Sequence, residues 1–284
     1  MRTTKRKRVD DAALIAALNS NVDELAPPQE VLTDTTVYLP ELSRTSYGMN
    51  ADILCSALFG VAKGSEKRVV DGVVRLTRKH IRQVYRTTNG ASIEYRGEEL
   101  RQTDLTVLLE LLHRRAGMAA SCAIEFSPYT FCSQIGWSDS KADVEKLKDS
   151  LLRMRQAILI VERNGNKGNT VGFVSEFSWD GAKWSATIDD RIGGLFSIKP
   201  TYLIIAQRKA LSQGLQTWLY GYVRANKCGW AVPLETIHEA CGSESKNMQE
   251  FARSVREALK KLAAIKVVTE ASTVKNGKVL IFKA

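Results

Sequence analysis

The apolar positions of this chain repeat one pattern twice. In the first copy the run Tyr129-Thr-Phe-Cys-Ser-Gln-Ile-Gly136 closes on glycine, and the turn Trp137-Ser-Asp-Ser140 follows. Val144, Leu147, Leu151, Met154 and Ile158 then recur at spacings of three and four, which predicts an amphipathic helix over 141–157 with that stripe facing a core. Strands are predicted from Ile158: 158–163, a tip at 164–169, 170–179, and 183–188 completing a wing. The second copy reads Leu234-Glu-Thr-Ile-His-Glu-Ala-Cys-Gly242, a turn from Ser243, a helix over 246–264 and strands from Ile265. Met248, Phe251, Val255, Leu259 and Leu262 form its buried stripe. Helix, tight turn, second helix and hairpin is the winged-helix variant of the helix-turn-helix, whose second helix enters the DNA major groove.

Around these copies the patterning is simpler. Short alternating runs at 69–76, 81–85 and 92–96 predict strands, with Asn89-Gly90 as a hairpin turn. Leu105, Leu108, Leu109, Leu111 and Leu112 predict a helix over 104–115 that ends near Gly117, followed by a short strand at 122–126. A helix over 207–226 carries Leu211, Leu215, Trp218, Leu219 and Tyr222 on one core stripe, and 230–234 is a brief strand. Residues 1 to about 50 have little periodicity and contain Pro27-Pro28. The fold class predicted is α+β. A disordered basic tail (1–50) precedes two tandem winged-helix domains, 51–200 with a short β extension and 201–284.

Composition narrows the function. The 284 residues are 44% hydrophobic and 25% charged, ordinary for a soluble globular protein of two modest domains. No apolar run is long enough to span a bilayer, and no apolar segment follows the basic N-terminus, so a bacterial cytoplasmic location without a membrane partner is expected. The net charge is +10. Five basic and no acidic residues fall in 1–8, nine basic and three acidic in 246–284, and the long stretch between is close to neutral. Such clustering is an electrostatic footprint for phosphate, and the run Thr4-Lys-Arg-Lys-Arg8 reads either as a solvated tail or as a nonspecific DNA arm.

Catalytic chemistry finds no support. Cys55, Cys122, Cys132, Cys228 and Cys241 are scattered, with no CxxC pair, and read as reduced thiols rather than zinc ligands. His80, His113 and His238 stand at neither metal nor triad spacing. Asp189-Asp190 lacks a third carboxylate at regular spacing and reads as an acidic turn at a strand end. The glycine-rich tip at 164–169 lacks the G-x-x-x-x-G-K-[ST] spacing of a phosphate loop. A non-enzyme without a cofactor or metal is expected.

The DNA-reading face follows from helical geometry. At 100° per residue, Gln249, Arg253, Arg256 and Lys260 cluster opposite the core stripe of the second long helix. Lys246, Asn247, Gln249 and Arg253, near its start, are placed to reach base edges, since N-terminal residues of a recognition helix go deepest. Arg256, Lys260 and Lys261 suit phosphates, and Lys275 and Lys278, flanking Asn276-Gly277, suit the backbone or the adjacent minor groove. In the first copy Ser138, Lys141, Lys148, Arg153 and Arg155 are the candidate contacts, with Arg163 and Lys167 from the wing. The polar face there mixes signs, with Glu145 and Asp149, and fits a protein–protein surface almost as well.

Several short segments carry a family resemblance: Ser56-Ala-Leu-Phe59, Ile93-Glu-Tyr95 with Gly97, Glu99-Leu-Arg101, Gly136-Trp-Ser138, Ile188-Asp189, Leu195-Phe196, Leu234-Glu-Thr236 and Cys241-Gly-Ser243. Their order and spacing, from about Ser56 to the C-terminus, resemble TrfA, the replication initiators of broad-host-range bacterial plasmids. The resemblance implies two winged-helix domains and binding to repeated duplex sites (iterons) at a plasmid origin. It also implies opening of an adjacent AT-rich region, with single-stranded DNA as a further ligand. Host partners implied are the initiator DnaA, the replicative helicase and the polymerase sliding clamp, with a monomer–dimer equilibrium limiting copy number. One departure concerns the clamp. The family's Gln-Leu-x-Leu-Phe segment upstream of the core has no counterpart, and Pro28-Gln-Glu-Val-Leu32 is a poor substitute, which removes the basis for direct clamp binding through that motif. The alternative reading is a tandem winged-helix transcriptional regulator, autoregulatory or not, without initiator activity.

Overall fold

A computed structural model describes residues 44–70, 73–86, 92–116, 118, 122–163, 167–192, 200–226 and 230–284. For 67–70, 73–76, 86, 163, 167, 190 and 230 it describes the backbone alone. The basic run at 4–8 and the turn residues Asn89-Gly90 lie outside the described residues. From Arg44 onward the chain is one compact α+β unit.

The first strand, β1 (Ser46–Asn50), falls where the sequence predicted tail. Tyr47 and Met49 are buried and anchor it in the core, so the core takes in residues that periodicity assigns to a tail. The short helix α1 (Ala51–Leu54) follows, capped by Asn50, and then β2 (Phe59–Gly60). The single strand predicted at 69–76 is a hairpin, β3 (Glu66–Val70) with β4 (Val73–Thr77). Next come β5 (His80–Arg86), β6 (Ser92–Glu98), β7 (Leu100–Arg101) and α2 (Gln102–Arg115). Leu105, Val107, Leu108, Leu109, Leu111 and Leu112 of α2 are all at most 2% exposed, and Gln102, Asp104, Thr106, Glu110 and Arg115 are buried with them, so the helix is covered nearly all round and forms the centre of the core.

The first array continues with β8 (Ile124–Phe126), α3 (Pro128–Gln134) and α4 (Lys141–Gln156). It ends in β9 (Ile158–Arg163), β10 (Lys167–Val171), β11 (Val174–Asp180) and β12 (Lys183–Ile188). Their place directly after α4 predicts β9 and β10 as part of a wing; they belong elsewhere. Their hairpin extends the β5–β6 pair into a four-stranded antiparallel sheet of order β10-β9-β6-β5. Leu159 and Val161 stand opposite Tyr95 and Ile93 and share their core-facing side. Ile158, assigned to the helical stripe, starts β9 on the opposite side and is 43% exposed. The hairpin that returns to the array is β11–β12, in a sheet of order β11-β12-β8. Cross-strand contacts between Phe126, Trp184 and Phe177 hold it there.

The second array is led by β13 (Pro200–Ile204) and α5 (Ile205–Lys209). It comprises α6 (Leu215–Ala225), β14 (Trp230–Pro233), α7 (Leu234–Ala240), α8 (Met248–Ala264), β15 (Thr273–Lys275) and β16 (Lys278–Ile281). Its sheet order, β14-β16-β15, matches that of the first array. The one helix predicted at 207–226 is broken into α5 and α6 at Gly214, whose φ of +110° suits only glycine, while Ser212 N–H is taken by the Gln216 side chain.

The α3–α4 and α7–α8 turns are built alike. Gly136 and Gly242 both take left-handed φ, +80° and +64°. In the first turn Trp137 N–H donates to Cys132 C=O and Gly136 N–H to Ser133 C=O; in the second Ser243 N–H donates to His238 C=O and Gly242 N–H to Glu239 C=O. Both are Schellman closures, with glycine where a side chain would strain the backbone.

The arrays are sewn together. β1 pairs with β13 from Ser46↔Ile204 to Asn50↔Pro200. Trp218 Nε1–H donates to Ser56 C=O (3.0 Å), and Val61 N–H to Cys241 C=O (2.9 Å) in the second turn. Arg208, wholly buried, reaches Gln102 Oε1 (3.2 Å), Thr106 Oγ1 (3.1 Å) and Thr217 C=O (3.3 Å), and burial pushes its guanidinium down to about 10.

Candidate nucleic-acid interface

On α8, burial of Phe251, Ala252, Val255, Ala258, Leu259 and Leu262 turns Gln249, Arg253, Arg256, Lys260 and Lys261 outward, where all five are exposed. Lys246 is exposed just ahead of the helix. Asn247, placed by the sequence at a base edge, is the N-cap: its Oδ1 accepts from Gln249 N–H (2.9 Å) and Glu250 N–H (3.3 Å). A capping Oδ1 is not free to accept from an adenine amino group, so the bidentate Asn–adenine pair is unavailable in this conformation. Lys260 Nζ lies 2.9 Å from Glu257, an exposed ion pair that holds little energy and yields readily to another anion.

The β15–β16 hairpin continues this surface. Asn276 and Gly277 both have positive φ (50° and 68°), as a two-residue primed turn requires. Lys275 and Lys278 are cross-strand partners and exposed. Arg256 Nε–H donates to Val274 C=O at 3.3 Å, joining the outer face of α8 to the hairpin.

On α4 the predicted cations separate into two groups. Lys141, Lys148 and Arg155 are seven residues apart and fall within about 40° of one another along the helix. Lys148 Nζ sits 4.3 Å from the ring centre of Trp179 on β11, so this flank faces the hairpin. Trp179 is 46% exposed. Sequence reasoning missed it because an aromatic in an alternating strand reads as core.

Arg153 is on the other flank and does not join them. Its Nη1 donates to Asp104 Oδ1 (2.8 Å) and its Nε to Glu98 Oε2 (3.0 Å), leaving the side chain 11% exposed. Burial alone would lower the pKa of this guanidinium; the two carboxylates outweigh it and raise it. Ser138 is likewise committed, donating through Oγ to Asp143 Oδ2 (2.5 Å) in the turn that caps α4. Arg163 and Lys167 face one another at the end of the β9–β10 ladder, in the four-stranded sheet rather than beside α4, and their side chains lie outside the described atoms.

The remaining polar clusters are structural. Asp189 bonds Arg191 at 2.9 and 2.6 Å and accepts from Gly172 N–H. His238 packs edge-on to Phe251 and bonds Ser245 C=O. Among the described residues no group of His, Cys, Asp or Glu is arranged to hold a metal ion, and no helix is long and apolar enough to cross a membrane.

A known structure shares this fold. A crystal structure of a selenomethionine derivative of domains 2 and 3 of RctB is 14% identical, with a TM-score of 0.52 over 74% of this chain and 92% of that one. A second crystal structure of RctB domains 2-3 is 12% identical, with a TM-score of 0.47 over 82% and 97%. No curated protein matches the chain. The chain belongs to the TrfA family of plasmid replication initiators: the family model, described as TrfA protein, matches residues 5–280.

Proposed function

We propose that this chain starts replication of its plasmid by binding repeated duplex sites at the origin through two winged-helix modules, one per array. The observation that carries this reading is the set of exposed cations on α8 and the β15–β16 hairpin, two elements joined by the Arg256–Val274 hydrogen bond, with Glu250 and Glu257 as the exposed carboxylates among them. Lys275 and Lys278, directly opposed, repel one another in the free protein, and a polyanion relieves that repulsion. Lys246, Gln249 and Arg253 enter the major groove; Arg256, Lys260, Lys261, Lys275 and Lys278 hold phosphates. In the first array Lys141, Lys148 and Arg155 contact the same duplex about one helical turn (~10 bp) away. Binding and local opening of AT-rich DNA are the whole of the activity, with no catalysis. The assembly then recruits DnaA and the replicative helicase in the bacterial cytoplasm, and a monomer–dimer equilibrium sets how much chain is active.

The test is footprinting of the purified chain on its plasmid's origin region at physiological salt. Protection of regularly spaced direct repeats is the expected result. Protection confined to a promoter operator would leave a transcriptional regulator, and no specific protection would refute both.

A further inference from the structure

We propose that Trp179, held by Lys148, is a contact for the sugar–phosphate backbone of duplex DNA, seated between α4 and the β11–β12 hairpin; this rests on the first array being a DNA-binding module. The aromatic side chains of this sheet form a row leading from the core outward. Phe126 and Trp184 have ring centres 6.3 Å apart, Trp184 and Phe177 5.6 Å, and Phe177 and Trp179 5.1 Å. Phe126 and Trp184 are buried, and Phe177 is partly covered. Trp179 is the last of the row and stands half in solvent, one residue before the end of β11. Its cross-strand neighbour Trp184 is already covered, so core packing does not account for a large exposed indole at this position.

The surroundings say which ligand fits. The Lys148 ammonium lies over one part of the ring and limits its motion, so the indole meets a partner with little ordering left to do. Lys148 is the middle of the Lys141–Lys148–Arg155 stripe, whose members repeat about every 10 Å along α4. Lys141, Lys148 and Arg155 outnumber the exposed Glu145 beside them, and with a flat amphipathic ring alongside they suit a polyanion that alternates charge with apolar sugar. Direction is set as well. Glu176 and Asp180, which alternate with Trp179 along β11, are exposed on the opposite side of the hairpin, where Lys183 stands across from Asp180, so that side offers phosphate no net positive charge. Duplex backbone therefore seats on the Trp179 side, the indole against deoxyribose and its N–H free to donate to a phosphate oxygen.

The experiment uses the full chain with two duplexes of equal length, one carrying the origin region and one of unrelated sequence. Trp179→Leu is expected to weaken both by about tenfold, because a backbone contact carries no sequence information and aromatic anchors dominate contact energy. Trp179→Phe keeps the packing and reads the contact independently of stability. It keeps an aromatic face but loses the N–H donor, so it is expected to bind between the parent and Trp179→Leu while losing most of the DNA-induced quench of tryptophan emission. The inference is overturned if Trp179→Leu binds both duplexes like the parent and Trp179→Phe retains the quench, while Arg253→Ala still weakens binding; the proposed function then stands. If the parent chain binds neither duplex, both fall together.

Discussion

Arg153 on α4 and Asp104 on α2 meet at 2.8 Å in the interior of the first array, and the other oxygen of the same carboxylate takes Arg78. Ser150 Oγ adds a 2.7 Å hydrogen bond and Arg101 N–H one of 2.8 Å, so the fully buried Asp104 accepts from four donors on three segments of chain. The arrangement fixes α4 against the N-terminus of α2. Removing the carboxylate leaves two guanidinium groups in the interior without their shared partner. Asp104→Ala is expected to cost about 3–5 kcal/mol, the range for breaking a buried ion pair from one side. Urea denaturation measures it; a loss below about 1 kcal/mol would mean that water reaches the site and the hub is not stabilising.

The two arrays were legible in the sequence because their signals are local. Glycine at Gly136 and Gly242, the caps before α4 and α8, and spacings of three and four report on neighbours along the chain. Sheet membership is not local. The β9–β10 hairpin follows α4 directly, as a wing would, and only the match of Leu159 and Val161 with Tyr95 and Ile93 moves it to another sheet. For the same reason Arg153 reads as a surface cation: nothing in residues 145–160 announces Asp104 or Glu98. On α8, where burial is one-sided and the opposite face is exposed, the predicted outward residues are the observed ones. The break at Gly214 was missed because the apolar spacing on either side continues in phase.

The turn before α4 gives a prediction in pH. Ser138 Oγ holds the Asp143 carboxyl below the usual carboxylate range, assisted by Lys146. A carboxyl whose pKa is lower folded than unfolded stabilises the fold above its unfolded value, about 3.9, and that contribution disappears as pH falls through the folded value beneath it. Asp143→Asn is therefore expected to be less stable than the parent at pH 7, with the gap closing below about pH 4. Urea melts at a series of pH values test this, and a gap that stays constant with pH would remove the carboxylate from the explanation.

The opposed lysines of the β15–β16 hairpin predict effects of opposite sign in the free and bound protein. Lys275→Glu converts a repulsive cross-strand pair into an attractive one, worth about 0.2–1 kcal/mol to the fold. The same change places a carboxylate toward DNA. The variant should melt slightly higher than the parent, and its duplex affinity should be lower and less salt-dependent, since each phosphate contact contributes about 0.9 to the slope of log K against log salt. Unchanged affinity and slope would place this hairpin away from the DNA.

Arg253 and Arg256 stand on the same face of α8 and are expected to behave differently. Arg253 projects from the first half of the helix, and Arg256 is tethered by its Nε–H to Val274 C=O. An untethered guanidinium near the start of a recognition helix can reach O6 and N7 of guanine with both arms; a tethered one has fewer donors left, which suits a phosphate. Arg253→Ala is expected to cost about 1–3 kcal/mol and to relax preference at one base pair. Arg256→Ala should weaken binding to all sequences alike and also loosen the hairpin. Titration against a set of duplexes with single base-pair changes separates the two. A uniform loss for Arg253→Ala would make it a backbone contact and move base reading to Gln249 and Lys246, closer to the N-terminus of α8.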